Sequence, residues 1–75
     1  YGPQGIRVNV IAPGAIVTEG MGQLSGAFGE QKATLKRAGR AEEVAEVAAF
    51  LASDRASYVS GAVIPVDGGW TARLA

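Results

Sequence analysis

The sequence predicts an α/β chain in which two parallel strands are joined by a long crossover carrying one amphipathic helix. Three observations predict it. A β-branched apolar run, Ile6 to Ile11, ends at Pro13-Gly14. A helical apolar stripe occupies Ala41 to Ser53. A second apolar run, Ala62 to Val66, follows it. About fifty residues lie between the two runs, well over the dozen that a parallel crossover needs.

The elements follow in order. Gly2-Pro3-Gln4-Gly5 is turn-forming, because Pro3 lacks an amide hydrogen and Gly5 tolerates positive φ. In the first strand, 6–11, Ile6, Val8 and Val10 alternate with Arg7 and Asn9, and Val10-Ile11-Ala12 is continuously apolar. That pattern predicts a strand solvated at its start and buried on both faces at its end. Pro13-Gly14 is expected to stop it. Gly20, Gly22, Gly26 and Gly29 disfavour a long helix over 19–29 and predict a flap. Glu30 to Arg37 is expected to form a short helix. Over 41–53, Val44, Val47, Ala48 and Leu51 fall at i, i+3, i+4 and i+7. Glu42 and Glu43 in its first turn favour the helix dipole by about 0.3–1 kcal/mol each. Pro65 marks 62–66 as an edge strand, where a missing donor does little harm. Asp67-Gly68-Gly69 then makes a tight turn, and Tyr58 is expected to pack in the turn before the strand.

Composition narrows the function. The 75 residues contain seven basic and seven acidic side chains, no cysteine and no histidine. Disulfide frameworks and thiolate or imidazole zinc sites are excluded. No basic stripe points to nucleic acid or a membrane surface, and no apolar run is long enough to span a bilayer. Serine-histidine catalysis has no base, and Glu42, Glu43 and Glu46 form a solvated helix face rather than an acid/base pair. No metal site is expected. The chain opens on Tyr1, and two strands do not make a stable sheet. It is therefore expected to be a fragment of a larger protein.

Taken together, Ile6-Arg7-Val8-Asn9, Pro13-Gly14-x-Ile16-x-Thr18, Arg37-Ala38-Gly39-Arg40-Ala41-Glu42-Glu43-Val44, Phe50-Leu51-Ala52-Ser53-Asp54 and Val66-Asp67-Gly68-Gly69 resemble, in order and spacing, the C-terminal part of a short-chain dehydrogenase/reductase. Within that family the pattern resembles members of the 3-oxoacyl-(acyl carrier protein) reductase and glucose dehydrogenase type. The resemblance implies the C-terminal βαβ portion of a Rossmann-type doubly wound parallel sheet, with strand 6–11, a lid at 19–37, helix 41–53 and edge strand 62–66. It implies NAD or NADP as cofactor, with Pro13, Gly14, Ala15, Ile16 and Thr18 at the nicotinamide end. On residue grounds alone, Pro13-Gly14 also reads as a strand stop and Thr18 as a helix cap. Met21, Leu24 and Phe28 either cover an apolar substrate or pack the flap onto the domain.

The chain departs from the family pattern at Thr34 and Lys36, which flank Leu35 where proline and glycine are common. It also carries no Tyr-x-x-x-Lys: Gly5 stands four residues after Tyr1. The resemblance thus implies a cytoplasmic oxidoreductase acting on a small alcohol or carbonyl compound, commonly as a homotetramer or dimer. This segment would carry none of the catalytic residues and be inactive alone. The alternative is an assembly module or a non-catalytic, ligand-binding remnant of the same fold.

Overall fold

The computed structural model describes residues 1–17, 29 and 31–72. In chain order, a 3-10 turn at Gly2–Gln4 precedes β1 (Val10–Pro13), β2 (Ile16–Val17), β3 (Gly39–Arg40), helix α1 (Ala41–Ala52), a 3-10 turn at Asp54–Ala56 and β4 (Val63–Val66). β1 and β4 pair in parallel, with Val10 opposite Val63 and Pro13 opposite Val66. A second parallel ladder sets Ile16 opposite Gly39 and Val17 opposite Arg40. The architecture is α/β with parallel strands, as the sequence predicts.

β1 starts at Val10 instead of Ile6, and for a local reason. The backbone before Val10 is tied to the loop ahead of β4 by contacts that are not ladder rungs. Val8 N donates to Ser60 Oγ at 3.3 Å, and Gly61 N donates to Val8 O at 2.7 Å. Pro13-Gly14 stops the strand as expected: Pro13 is the last residue of β1, and Gly14 N closes it by donating to Val66 O at 3.0 Å. Val10 N donates to Ala62 O at 2.9 Å. Even-numbered residues of both strands therefore face each other, because backbone groups alternate along a strand. Pro13 and Pro65 both fall on positions facing away from the ladder, where a missing N–H removes no rung.

α1 begins at extended Arg40, whose N–H donates to Glu43 Oε1 at 2.9 Å. This is the acidic half of a capping box; the arginine side chain has no acceptor to complete it. Ser53 ends the helix in an extended conformation. Its Oγ donates to Phe50 O and accepts from Arg55 N, so one hydroxyl closes α1 and opens the next turn. Val44, Val47 and Leu51 are half-buried on the stripe and α1 contacts β1.

Burial is lighter than the pattern predicts. Ala33 and Ala56 are the buried apolar residues among those described. Val10, Ala12 and Pro13 are exposed and Ile11 is half-buried, so β1 is not covered on both faces. Among the described residues, β1 has β4 on one edge and α1 near one face. Tyr58 is fully exposed instead of packed into its turn. The short helix over 30–37 also differs: residues 29, 31 and 32 are helical, and the chain has left the helix by Ala33.

Candidate functional site

Because β1 and β4 run parallel, their carboxyl ends lie at one edge of the sheet. Two loops leave from that edge, Gly14-Ala15 toward β2 and Asp67-Gly68-Gly69 after β4. They nearly touch. A Cβ placed on Gly14 would stand 2.7 Å from Asp67 Cβ and 2.8 Å from Asp67 Cα, so only glycine fits. Asp67 is held by its own turn. Its Oδ1 accepts from Gly69 N at 3.0 Å, and Oδ2 accepts from Thr71 Oγ1 at 2.8 Å and Thr71 N at 3.1 Å. The Thr71 bonds, with those from the turn amides, lower the Asp67 pKa.

The segment entering β3 docks on the same turn. Leu35 N donates to Gly68 O at 2.9 Å, and Thr34 Oγ1 donates to Gly69 O at 3.0 Å. Reversing the chain there places Lys36 at φ 61, the left-handed region where a Cβ is crowded. This is one of the two positions where the sequence departs from the family pattern. Lys36→Gly is expected to stabilise the fold by about 1 kcal/mol, strain relief outweighing the added freedom of the unfolded chain; a denaturant midpoint that fails to rise would refute it.

β3 then fixes the other loop. Gly39 N donates to Ala15 O at 2.9 Å, and a Cβ on Gly39 would lie 2.9 Å from Ile16 Cδ1. Behind β3, Glu43 takes both arms of Arg37, Nη1 to Oε1 at 2.9 Å and Nη2 to Oε2 at 3.0 Å. The Arg37 hydrogen bond, then the Arg40 amide, hold the Glu43 carboxyl down to about 2.

A cavity of about 240 Å³ opens between these parts. Ala15, Ile16, Leu35, Arg37, Gly39 and Glu43 line one side, and residues 65–69 the other. Of the expected cofactor residues, Ala15 and Ile16 line it. Gly14 sits half-buried behind them against Asp67, and Pro13 is exposed at the strand end. Thr18, Met21, Leu24 and Phe28 lie outside the described residues. Sequence reasoning did not place Glu43 or Asp67 here. The one available signal was the spacing Arg37-x-x-Arg40-x-x-Glu43 across a helix start. Both carboxylates at this cavity are engaged by donors and held in the charged form, so neither is poised to exchange a proton near neutrality. The arrangement can seat a ligand beyond the strands' carboxyl ends, where open α/β sheets bind theirs.

Comparison with known proteins bears on that ligand. The family model described as enoyl-(acyl carrier protein) reductase matches residues 1–71. Glucose 1-dehydrogenase 2 of Bacillus subtilis is 48% identical over 75 residues, covering 95% of this chain and 29% of its own length. A 4-hydroxyisoleucine dehydrogenase solved with NADH and succinate superposes with a TM-score of 0.81 at 36% identity, over 96% of this chain and 30% of that one. A putative 2-deoxy-D-gluconate 3-dehydrogenase from Agrobacterium tumefaciens with bound NADP gives 0.82 at 39% identity, over 95% and 31%. The chain thus spans less than a third of the length of these relatives.

Proposed function

The chain belongs to the short-chain dehydrogenase/reductase family of NAD(P)-dependent oxidoreductases, and from that premise we propose that it works as the C-terminal segment of an enzyme interconverting an alcohol and a carbonyl compound. The observation that carries this reading is the meeting of the Gly14–Ile16 and Asp67–Gly69 loops around one cavity at the strands' carboxyl edge. The residues fit a nicotinamide nucleotide. Gly14 lets the backbone fold in against Asp67, and Ala15 and Ile16 present small and apolar surface to a flat ring. When bound, the nicotinamide gives or takes the hydride.

In this reading Pro13, Gly14, Ala15 and Ile16 wall the nicotinamide side and Thr18 donates a hydrogen bond to it. Residues 19–37 form the lid, with Met21, Leu24 and Phe28 toward the substrate. α1 and β4 supply an oligomer surface, consistent with Phe50 at 43% and Val63 at 64% exposure. Among the described residues no helix is long and apolar enough to cross a membrane. We propose a cytoplasmic enzyme. The segment supplies binding surface and not the proton-transfer groups, so the 75 residues alone are inactive.

Thr18→Ala in the oxidoreductase carrying this segment is expected to raise the cofactor KM about fivefold, the equivalent of one net hydrogen bond of about 1 kcal/mol. Steady-state kinetics with NADH and NADPH measures it, and unchanged KM and kcat would remove Thr18 from the site. The other reading, a non-catalytic assembly or ligand-binding remnant, predicts no turnover for variant or parent.

A further inference from the structure

We propose that Glu43 is a positioning residue for the cofactor wall, acting through β3 on Ala15 and Ile16; this rests on the proposed reading of that wall. Glu43 Oε1 accepts from both Arg37 Nη1 and Arg40 N, each at 2.9 Å, and Oε2 accepts from Arg37 Nη2 at 3.0 Å. One carboxylate therefore holds Arg37, two residues before β3, the last residue of β3 and the first turn of α1 in a single geometry. Arg37 Nη1 also donates to Ala38 O at 3.1 Å, which leaves the intervening backbone little freedom.

What Glu43 holds is the partner strand of the wall. β3 pairs in parallel with β2, and Gly39 N donates to Ala15 O. The ladder is two residues long, too short to fix its own register, so its register must be imposed from outside. On the α1 side Glu43 imposes it. On the far side the turn at Gly68 and Gly69 does, through Leu35 and Thr34. With β3 displaced, the Ala15 carbonyl loses its donor and Ile16 loses its seat over Gly39, where a Cβ would stand 2.9 Å from Ile16 Cδ1.

The ion pair itself is a surface one, with side chains 50% and 31% exposed. Such pairs add little to global stability. Its bidentate, three-donor geometry is instead suited to specifying local shape. Loss of Glu43 should therefore appear first in ligand affinity and not in unfolding.

The test is made in the oxidoreductase carrying this segment, with Glu43→Gln, Arg37→Lys, Arg37→Gln, the double variant Arg37→Gln/Glu43→Gln, and Glu42→Gln as a neighbouring control. NADH and NADPH binding is followed by fluorescence, together with steady-state kinetics and thermal unfolding. Glu43→Gln is expected to raise the cofactor KM about fivefold, the equivalent of losing an exposed ion pair at the upper end of its usual strength, with kcat changed less than about twofold. The Arg37→Lys variant, which keeps the cation but not the fork, should fall between parent and Glu43→Gln. The double variant should be no worse than the worse of its singles, because the two residues act as a unit.

A fall in kcat and thermal stability with unchanged cofactor KM would overturn the proposal, leaving Glu43 a helix cap alone. Equal effects of Glu42→Gln and Glu43→Gln, or no effect of either, would overturn it too. If the parent protein binds neither NADH nor NADPH, the wall reading itself fails, and this proposal with it; intact parent binding with an inert Glu43→Gln fails this proposal alone.

Discussion

Gly14→Ala is expected to destabilise the fold by about 1–3 kcal/mol, the range for inserting an atom into a closely packed site, and to weaken nicotinamide-nucleotide binding. The added methyl lands 2.7 Å from Asp67 Cβ and 2.8 Å from Asp67 Cα. A side-chain tip could swing away; Asp67 cannot. Three hydrogen bonds from Gly69 and Thr71 pin its carboxylate, and Val66 before it accepts the last rung from Gly14 itself. Relief must come from spreading the carboxyl ends of β1 and β4, and that moves Ala15 and Ile16 out of the cavity wall. Gly2, with nothing within 4 Å of its added Cβ, supplies the control. Chemical denaturation of both alanine variants decides it: equal midpoints would mean that the Gly14–Asp67 approach relaxes freely.

The sequence made this contact visible only in part, and the reason is physical. Pro13-Gly14 announces a strand end, but the need for glycine comes from Asp67, more than fifty positions away, and no local pattern encodes that distance. The helix was the most legible element. Its stripe lies within one continuous segment, and α1 runs Ala41–Ala52 against an expected 41–53. β4 starts one residue later than expected, at Val63. β1 was less legible: Ile6 to Asn9 alternates as a strand does, but pairing with β4 sets where the ladder begins, and the loop at 59–62 takes up the earlier backbone by other bonds. β2 and β3 left no periodic trace at all, since two residues have no period. Their ladder exists because Glu43 and the Gly68-Gly69 turn bring Gly39 beside Ala15 and Ile16. At Lys36 the departure from the family pattern was plain in the sequence, and the cost it carries is plain only once φ is known.

Asn9→Leu is expected to cost about 2–3 kcal/mol, the loss of two hydrogen bonds plus the desolvation of an orphaned amide. Asn9 sits one residue before β1 and reaches the loop before β4 with both ends of its amide. Nδ2 donates to Val59 O at 3.0 Å, and Oδ1 accepts from Ala62 N at 3.0 Å. The next rung, Val10 N to Ala62 O, follows directly. Asn9 thus performs the first pairing of β1 with β4 using a side chain, and sets the register that carries both strands to the same edge. The two bonds are unequal in consequence. Val59 O keeps a second donor, Arg7 Nη1 at 3.2 Å, whereas no other acceptor for Ala62 N stands in the described hydrogen bonds. Asn9→Asp separates them. A carboxylate still accepts from Ala62 N but turns an oxygen toward Val59 O, so its cost is smaller than that of Asn9→Leu at neutral pH. Denaturation midpoints of the three proteins at neutral pH read this out. An Asn9→Leu variant as stable as the parent, or an Asn9→Asp variant no more stable than Asn9→Leu, would show that the register of β1 on β4 is set by the strands and not by this side chain.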